Sequence, residues 1–212
     1  MRIIETPVYT LTELSDAAKE RARSWYREGL DYEWWDTVYD DFETICRILG
    51  VDLRTQIVRL YGGGTRQKPS IWFSGFWNQG DGACFEGTYR HAKGAPAALR
   101  AHAPLDTELH AIADHLAELQ RRNFYELTAS IRHHGRYSHA HSMTIDVERD
   151  SPNGQPPTTG SADAITQALR DLAHWLYRQL QREYDYLTSN EAVDESIEAN
   201  EYTFTAEGRR FG

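Results

Sequence analysis

Three groups of residues in this sequence have the types and spacing that chemistry requires. The first is His133-His-Gly-Arg-Tyr-Ser-His-Ala-His141. Counted through a hairpin, His133, His139 and His141 fall on the face shared by Ile131, Met143 and Ile145. Three imidazoles on one side of a ribbon, joined by an Asp or Glu, are a donor set for zinc. The spacing matches no closed zinc signature, and a hairpin end carrying polar side chains accounts for the same residues. A metal is therefore not the favoured reading, and no cofactor is expected. Arg132 and Arg136 among these histidines offer another use, an anion patch or a nucleic-acid contact on the 132–141 hairpin.

The second group lies in the glycine- and aromatic-rich stretch Ile71–Gly87. Gln79, Gly80, Asp81 and Gly82 could form an anion nest or a ligand clamp with Asp81 as its acid. Glu86 and Tyr89 follow, and an enzyme or ligand-binding protein would bring Asp81, Glu86, Tyr89, His139 and His141 onto one pocket. A tight turn accounts for the glycines equally well. The stretch is not a P-loop, because no Gly-Lys-Ser/Thr is present and no helix follows. Nucleophilic catalysis has no foothold: the chain lacks a Gly-X-Ser-X-Gly elbow, and Cys84, in a strand-like run beside aromatics, reads as a small buried hydrophobe.

The third group is acidic. The 212 residues carry 32 acidic and 23 basic side chains, a formal net charge of -9. The windows 31–43 and 183–201 contain no base at all. Such blocks repel phosphate and attract basic protein surfaces. The candidate contact residues are Asp31, Glu33, Asp36, Asp40, Asp41 and Glu43, then Glu191, Asp194, Glu195 and Glu198. In the first window Tyr32, Trp34, Trp35, Tyr39 and Phe42 interleave with the acids, more aromatics than one helical side can bury. Exposed Trp and Tyr beside carboxylates would suit a protein interface. Carboxylates spaced along a helix also imitate phosphates to a nucleic-acid-binding partner. The alternative is that the acids simply solubilise a helix.

The elements that must position these groups follow from period and punctuation. Ser15 opens a helix that runs to Arg27 with Ala18, Ala22, Trp25 and Tyr26 on one face and Gly29 as its stop. A second helix spans about 33–49, with Trp35, Val38, Phe42, Ile45 and Leu49 on one side and Gly50 at its end. Together they form an N-terminal helical hairpin. Runs 53–61, 70–77 and 83–91 are strand-like, the last two joined through Asn78–Gly82. If Phe76 faces Phe85, Trp72 meets Tyr89 and Gly75 meets Glu86. A short helix follows Pro96, and a longer one runs from an Asp106 cap to Arg122. Strands at 125–133 and 139–148, a proline-rich loop at 151–160, a long helix over 162–186, a short acidic helix over 191–200 and an extended end complete the chain.

Hairpin-linked strands with helices before, between and after them predict an α+β fold. The expected architecture is an antiparallel sheet of about five strands with a long C-terminal helix packed on it. We read the chain as a single domain: helical hairpin 1–50, sheet with inserted helices 51–149, and C-terminal helices with a short strand 161–212. Two cysteines exclude a disulfide framework and make a reducing cytoplasm the expected location. The first residues lack a secretory h-region, and no apolar run approaches a membrane span.

Three segments carry a family resemblance: YTLTELSDAAKERARSWYREG at 9–29, WFSGFWNQGDGACFEG at 72–87 and EANEYTFTAEGRRFG at 198–212. Together they resemble a family of small proteins of phages, prophages and plasmids labelled as antitoxins of toxin–antitoxin stability systems. The resemblance implies a mobile-element accessory protein in a bacterial host. Such a protein would neutralise another protein, either a toxin or a host defence system such as CRISPR-Cas or another nuclease. With the acidic windows, this gives the leading expectation: a non-enzymatic inhibitor with a basic protein partner, no membrane association and no direct nucleic-acid binding.

Overall fold

The structure, a computed structural model, describes residues 5–30 and 33–212. A 3-10 turn at Leu11–Glu13 leads into α1 (Asp16–Glu28) and then α2 (Asp36–Leu49). Six strands follow: β1 (Val51–Leu53), β2 (Thr55–Arg59), β3 (Thr65–Pro69), β4 (Ile71–Phe73), β5 (Ala83–Phe85) and β6 (Gly87–Arg90). Next come α3 (Ala95–His102), α4 (Thr107–Arg122), β7 (Leu127–His133) and β8 (Met143–Arg149). The chain ends with α5 (Ser161–Leu187), α6 (Asn190–Ala199), β9 (Thr203–Phe204) and β10 (Arg210–Phe211). The fold is α+β and every strand pair is antiparallel. The strands divide into one four-stranded sheet, ordered β1-β6-β7-β8, and three two-stranded ribbons.

The chain forms two units, one of residues 1–36 with 181–212 and one of residues 37–180. Helix α1 lies in the first unit and nearly all of α2 in the second. In the first unit, α1 buries Ala18 and Ala22 in a core with Leu11, Leu14, Val193, Ile197 and Phe204. Small residues on α1 let α6 approach closely, and Trp25 closes the end of the core edge-on against Tyr202 and Phe204, at 5.4 and 5.9 Å. Paired backbone bonds of 2.9 Å join Tyr9 to Phe204. Ser189 caps α6 by accepting from the Ala192 N–H.

In the second unit, β7 alternates as a half-covered strand should: Leu127, Ala129 and Ile131 are buried, while Thr128, Ser130 and Arg132 face outward. Ile165, Leu169, Leu172, Leu176 and Leu180 form the buried stripe of α5, as their spacing predicts. Phe42 joins this core between Phe85 and Trp175, at 5.4 and 6.4 Å. Each such side chain contributes about 1.5–3 kcal/mol by leaving water. Asp106 caps α4 as expected, accepting from Leu109 N–H with one oxygen and from Trp175 Nε1 with the other, at 3.0 and 2.8 Å.

The middle strands depart from expectation in three ways. The run 53–61 is not one strand: it breaks at Arg54 into β1 and β2, and β2 pairs across the Gly62–Gly64 turn with Thr65–Pro69, a strand not expected from the sequence. The 83–91 strand breaks at Glu86, so β5 pairs with β4 while β6 lies between β1 and β7. The β4–β5 register sets Ile71 opposite Phe85 and Trp72 opposite Cys84, not Phe76 opposite Phe85 or Trp72 opposite Tyr89. The cause is a wider turn. The Asp81 carboxylate accepts from Trp77 and Asn78 N–H at 3.0 and 2.7 Å, which takes 75–81 out of the ladder, while Ser74 N–H still donates to the Gly82 carbonyl at 3.0 Å.

Candidate functional site

The glycine-rich turn is built as structure. Asp81 is occupied by the two backbone donors just named, and Ser74 accepts from Gly82 N–H at 3.2 Å. A methyl group on Gly82 would lie 2.6 Å from His139 Cβ, so this turn and the 138–139 backbone approach as closely as glycine allows. Glu86 accepts from His133 N–H at 3.1 Å and pairs with Arg54 at 3.2 Å. The buried Tyr89 hydroxyl accepts from Gln120 Nε2 at 3.2 Å, and burial pushes its pKa up to about 12. Gln79 is exposed at the turn beside Trp77, a residue 75% exposed. Asp81, Glu86 and Tyr89 therefore serve three different local networks and do not converge on one pocket.

The histidines also part company. His133 ends β7, stacks on Trp72 with ring centres 5.1 Å apart and contacts the Tyr137 carbonyl through Nε2 at 3.0 Å. His139 and His141 are not on a strand, contrary to the predicted common face. Ser142 folds back on His139, donating to its carbonyl at 2.7 Å, and draws Ala140–Ser142 into a 3-10 turn. His139 Nδ1 then accepts from His141 N–H at 3.1 Å. The His141 ring lies 6.2 Å from that of His174, whose pKa is lowered by burial, with Asp171 opposing the drop and Arg178 and His141 adding to it. Among the described residues no group of three or more His, Cys, Asp or Glu side chains could hold a metal ion. Arg132 of the proposed anion patch pairs with Asp146, and Arg136 lies over the Tyr137 ring.

The acidic candidates separate by what they touch. Asp31 lies outside the described residues. Glu33 is exposed, and Asp36, at the first turn of α2, is half-buried. Asp40 is exposed, Asp41 pairs with His102 at 2.7 Å, and Glu43 is half-buried near Cys46. Tyr32, like Asp31, lies outside the described residues, and the described aromatics of this window are buried or half-buried. Tyr39 and Phe42 are buried, while Trp34 is half-buried between Trp35 and Tyr184, each at 5.6 Å. On α6, Asp194 is held by Arg23, whereas Glu191, Glu195 and Glu198 stay exposed. Their spacing of four and three residues places them along one side of the helix, across from the buried Val193 and Ile197.

Sequence reasoning missed a different set of exposed rings. Phe124 and Tyr125 both adopt left-handed backbone, φ 57° and 66°, and are 72% and 53% exposed. The strand expected over 125–133 starts only at Leu127, so Tyr125 lies outside it. Its ring meets His91 at 4.6 Å, between a cleft of about 660 Å³ over the outer face of the sheet and one of about 770 Å³ beside α4. No periodicity signals a left-handed pair of aromatics, so no sequence signal could have found it.

Residues 34–190 match the family described as a domain of unknown function (DUF8835), a span that contains the whole 37–180 unit. No curated protein and no solved structure matches the chain.

Proposed function

The chain belongs to the DUF8835 family, and we propose that it acts without catalysis, holding a basic protein partner against an acidic helical surface. The observation that supports this reading best is the row Glu191, Glu195 and Glu198 on the exposed side of α6. The row covers about 10 Å of helix. The opposite side of α6 is anchored in the core by Val193 and Ile197, so the row is displayed on a rigid element. Asp40 and Glu33 supply further exposed charge from the first acidic window. The carboxylates of Asp194 and Asp41 are engaged by Arg23 and His102.

In this reading the partner is a toxin or a host defence protein of a bacterial cell, one whose basic surface normally holds nucleic acid. Attraction between exposed charges steers encounter and fixes register, and it weakens as salt screens it. The test is capture by tagged protein from host extract, comparing wild type with a Glu191→Lys/Glu195→Lys/Glu198→Lys variant. A basic partner retained by wild type at about 50 mM salt and lost at about 500 mM should also be lost with the variant. Equal retention by both proteins would sink the proposal.

A further inference from the structure

Two clefts of the 37–180 unit meet at one pair of rings. Tyr125 and His91 line both the cleft over the outer face of the sheet and the cleft beside α4. The backbone holds Tyr125 there: its N–H donates to the Gln120 carbonyl at 2.7 Å, and Glu126 N–H donates to the Asn123 carbonyl at 3.1 Å. Between these bonds Phe124 and Tyr125 keep their left-handed conformation. Bulky side chains rarely adopt it, and where the surroundings impose it the site is commonly one that grips a ligand.

The charges around the rings divide by what they already hold. In the cleft beside α4 both acids are engaged, Asp114 by Arg100 and Glu118 by Arg122. Lys93 and Arg121 line the same cleft, both are exposed, and neither makes an ion pair or a side-chain hydrogen bond within the described residues. On the sheet side, the register sets Arg90, Thr128 and Glu148 in one row across β6, β7 and β8. The short Thr128 in the middle strand leaves a trough between Arg90 and Glu148, whose strands run about 10 Å apart. Glu148 and Asp150 both line this cleft, and neither carboxylate has a partner within the described residues.

We propose that this junction binds a nucleoside phosphate, with its base on the Tyr125 ring, its phosphate between Lys93 and Arg121, and its hydroxyl or amino donors toward Glu148 and Asp150. Three chemistries together select the class. An anion alone would use the two cations and leave the ring and the sheet-side carboxylates idle. A neutral aromatic ligand would leave Lys93 and Arg121 idle. A nucleoside phosphate carries a flat ring for stacking, a phosphate close to doubly charged at pH 7, and hydroxyl donors for free carboxylates. Clefts of about 660 and 770 Å³ are of the size that holds small ligands. The acidic row on α6 belongs to the other unit, so the two readings stand or fall separately.

The experiment is isothermal titration calorimetry of the whole protein with AMP, GMP, CMP and UMP at about 50 mM salt, with adenosine and inorganic phosphate as partial ligands. At least one nucleotide should bind with a Kd of about 0.1 mM or below, and inorganic phosphate about tenfold or more weakly than that. The Lys93→Ala/Arg121→Ala variant, with unchanged circular dichroism, should weaken the nucleotide about tenfold or more, down to the level of its nucleoside. Tyr125→Asn removes the ring but keeps a residue that tolerates left-handed backbone, and should weaken the nucleotide about fivefold or more. No binding of any of the four nucleotides at about 2 mM overturns the proposal. So does nucleotide binding that either variant leaves unchanged, or inorganic phosphate that binds as tightly as the nucleotide.

Discussion

Arg23 and Asp194 meet as a two-point pair, Nε to Oδ1 at 2.7 Å and Nη2 to Oδ2 at 2.6 Å, and so tie α1 to α6. The bond to Arg23 holds the Asp194 carboxyl below its ordinary value of 3.8, with Lys19 and Arg27 adding to the effect. The unfolded chain has the ordinary value, so the stabilisation is complete above it and is lost as pH falls through the lower folded value. Asp194→Asn should cost about 1–2 kcal/mol at pH 7, less than a fully buried pair because both partners reach solvent. Urea unfolding followed by tryptophan fluorescence should show the gap between variant and wild type closing as pH is taken below about 4. A gap that stays constant with pH would mean that the carboxylate's charge contributes nothing.

Gly87 begins β6 where the chain passes from one sheet to another. A methyl group there would lie 2.3 Å from the Asp52 carbonyl oxygen, a backbone atom fixed by the β1–β6 pairing. Gly87→Ala should therefore destabilise the protein by about 1–3 kcal/mol, the usual cost of forcing extra atoms into close-packed surroundings. Thermal denaturation checks it. Gly62→Ala, where a methyl group meets nothing within 4 Å, is the control and should leave the midpoint nearly unchanged.

Helices were legible in the sequence because their signals are local. Asp106 before Thr107, Gly50 after Leu49 and the apolar stripe of α5 each lie within a few turns of what they specify. The sheet was less legible because its register depends on groups that meet through folding. Asp81 widens a turn that its flanking glycines alone would make tight, and the break at Glu86 reflects donors from Arg54 and His133. The candidate surface divides in the same way. The exposed row on α6 follows from helical spacing, but Asp194 and Asp41 find Arg23 and His102 only in the folded chain. The histidine face was lost for a local reason, the Ser142 bond that replaces a strand end with a 3-10 turn.

Cys46 and Cys84 are free and buried. Burial pushes the Cys46 thiol well above its usual range, and burial raises Cys84 to about 11 despite bonds from Ser138 and Ser142. The thiolate is the reactive species, so the native protein at pH 8 should be almost inert to a thiol reagent such as Ellman's reagent. Denaturant should release two equivalents of reaction per chain. Rapid labelling of either residue in the native state would contradict its place in the core.

Gln120 joins α4 to the sheet through three bonds, two to β7 and one to β6. Its Nε2 donates to the Leu127 carbonyl at 2.8 Å and to the Tyr89 hydroxyl at 3.2 Å, and its Oε1 accepts from Leu127 N–H at 3.2 Å. Gln120 is wholly buried, and so is Leu127. Gln120→Leu fills most of the space but leaves the amide and carbonyl of Leu127 without these partners, each orphaned group costing about 1–3 kcal/mol. The variant should lose about 2–5 kcal/mol in chemical denaturation, more than a change of shape alone would cost. Gln120→Glu separates hydrogen bonding from packing, because it keeps the acceptor and the volume. Its carboxyl, buried in an apolar setting, should be driven toward the neutral form, which can still donate one bond. The Glu variant should thus recover part of its stability as pH is lowered from 7 to about 5, while the Leu variant should not. Equal pH dependence in the two variants would show that the amide's bonds to Leu127 are not what holds α4 to the sheet.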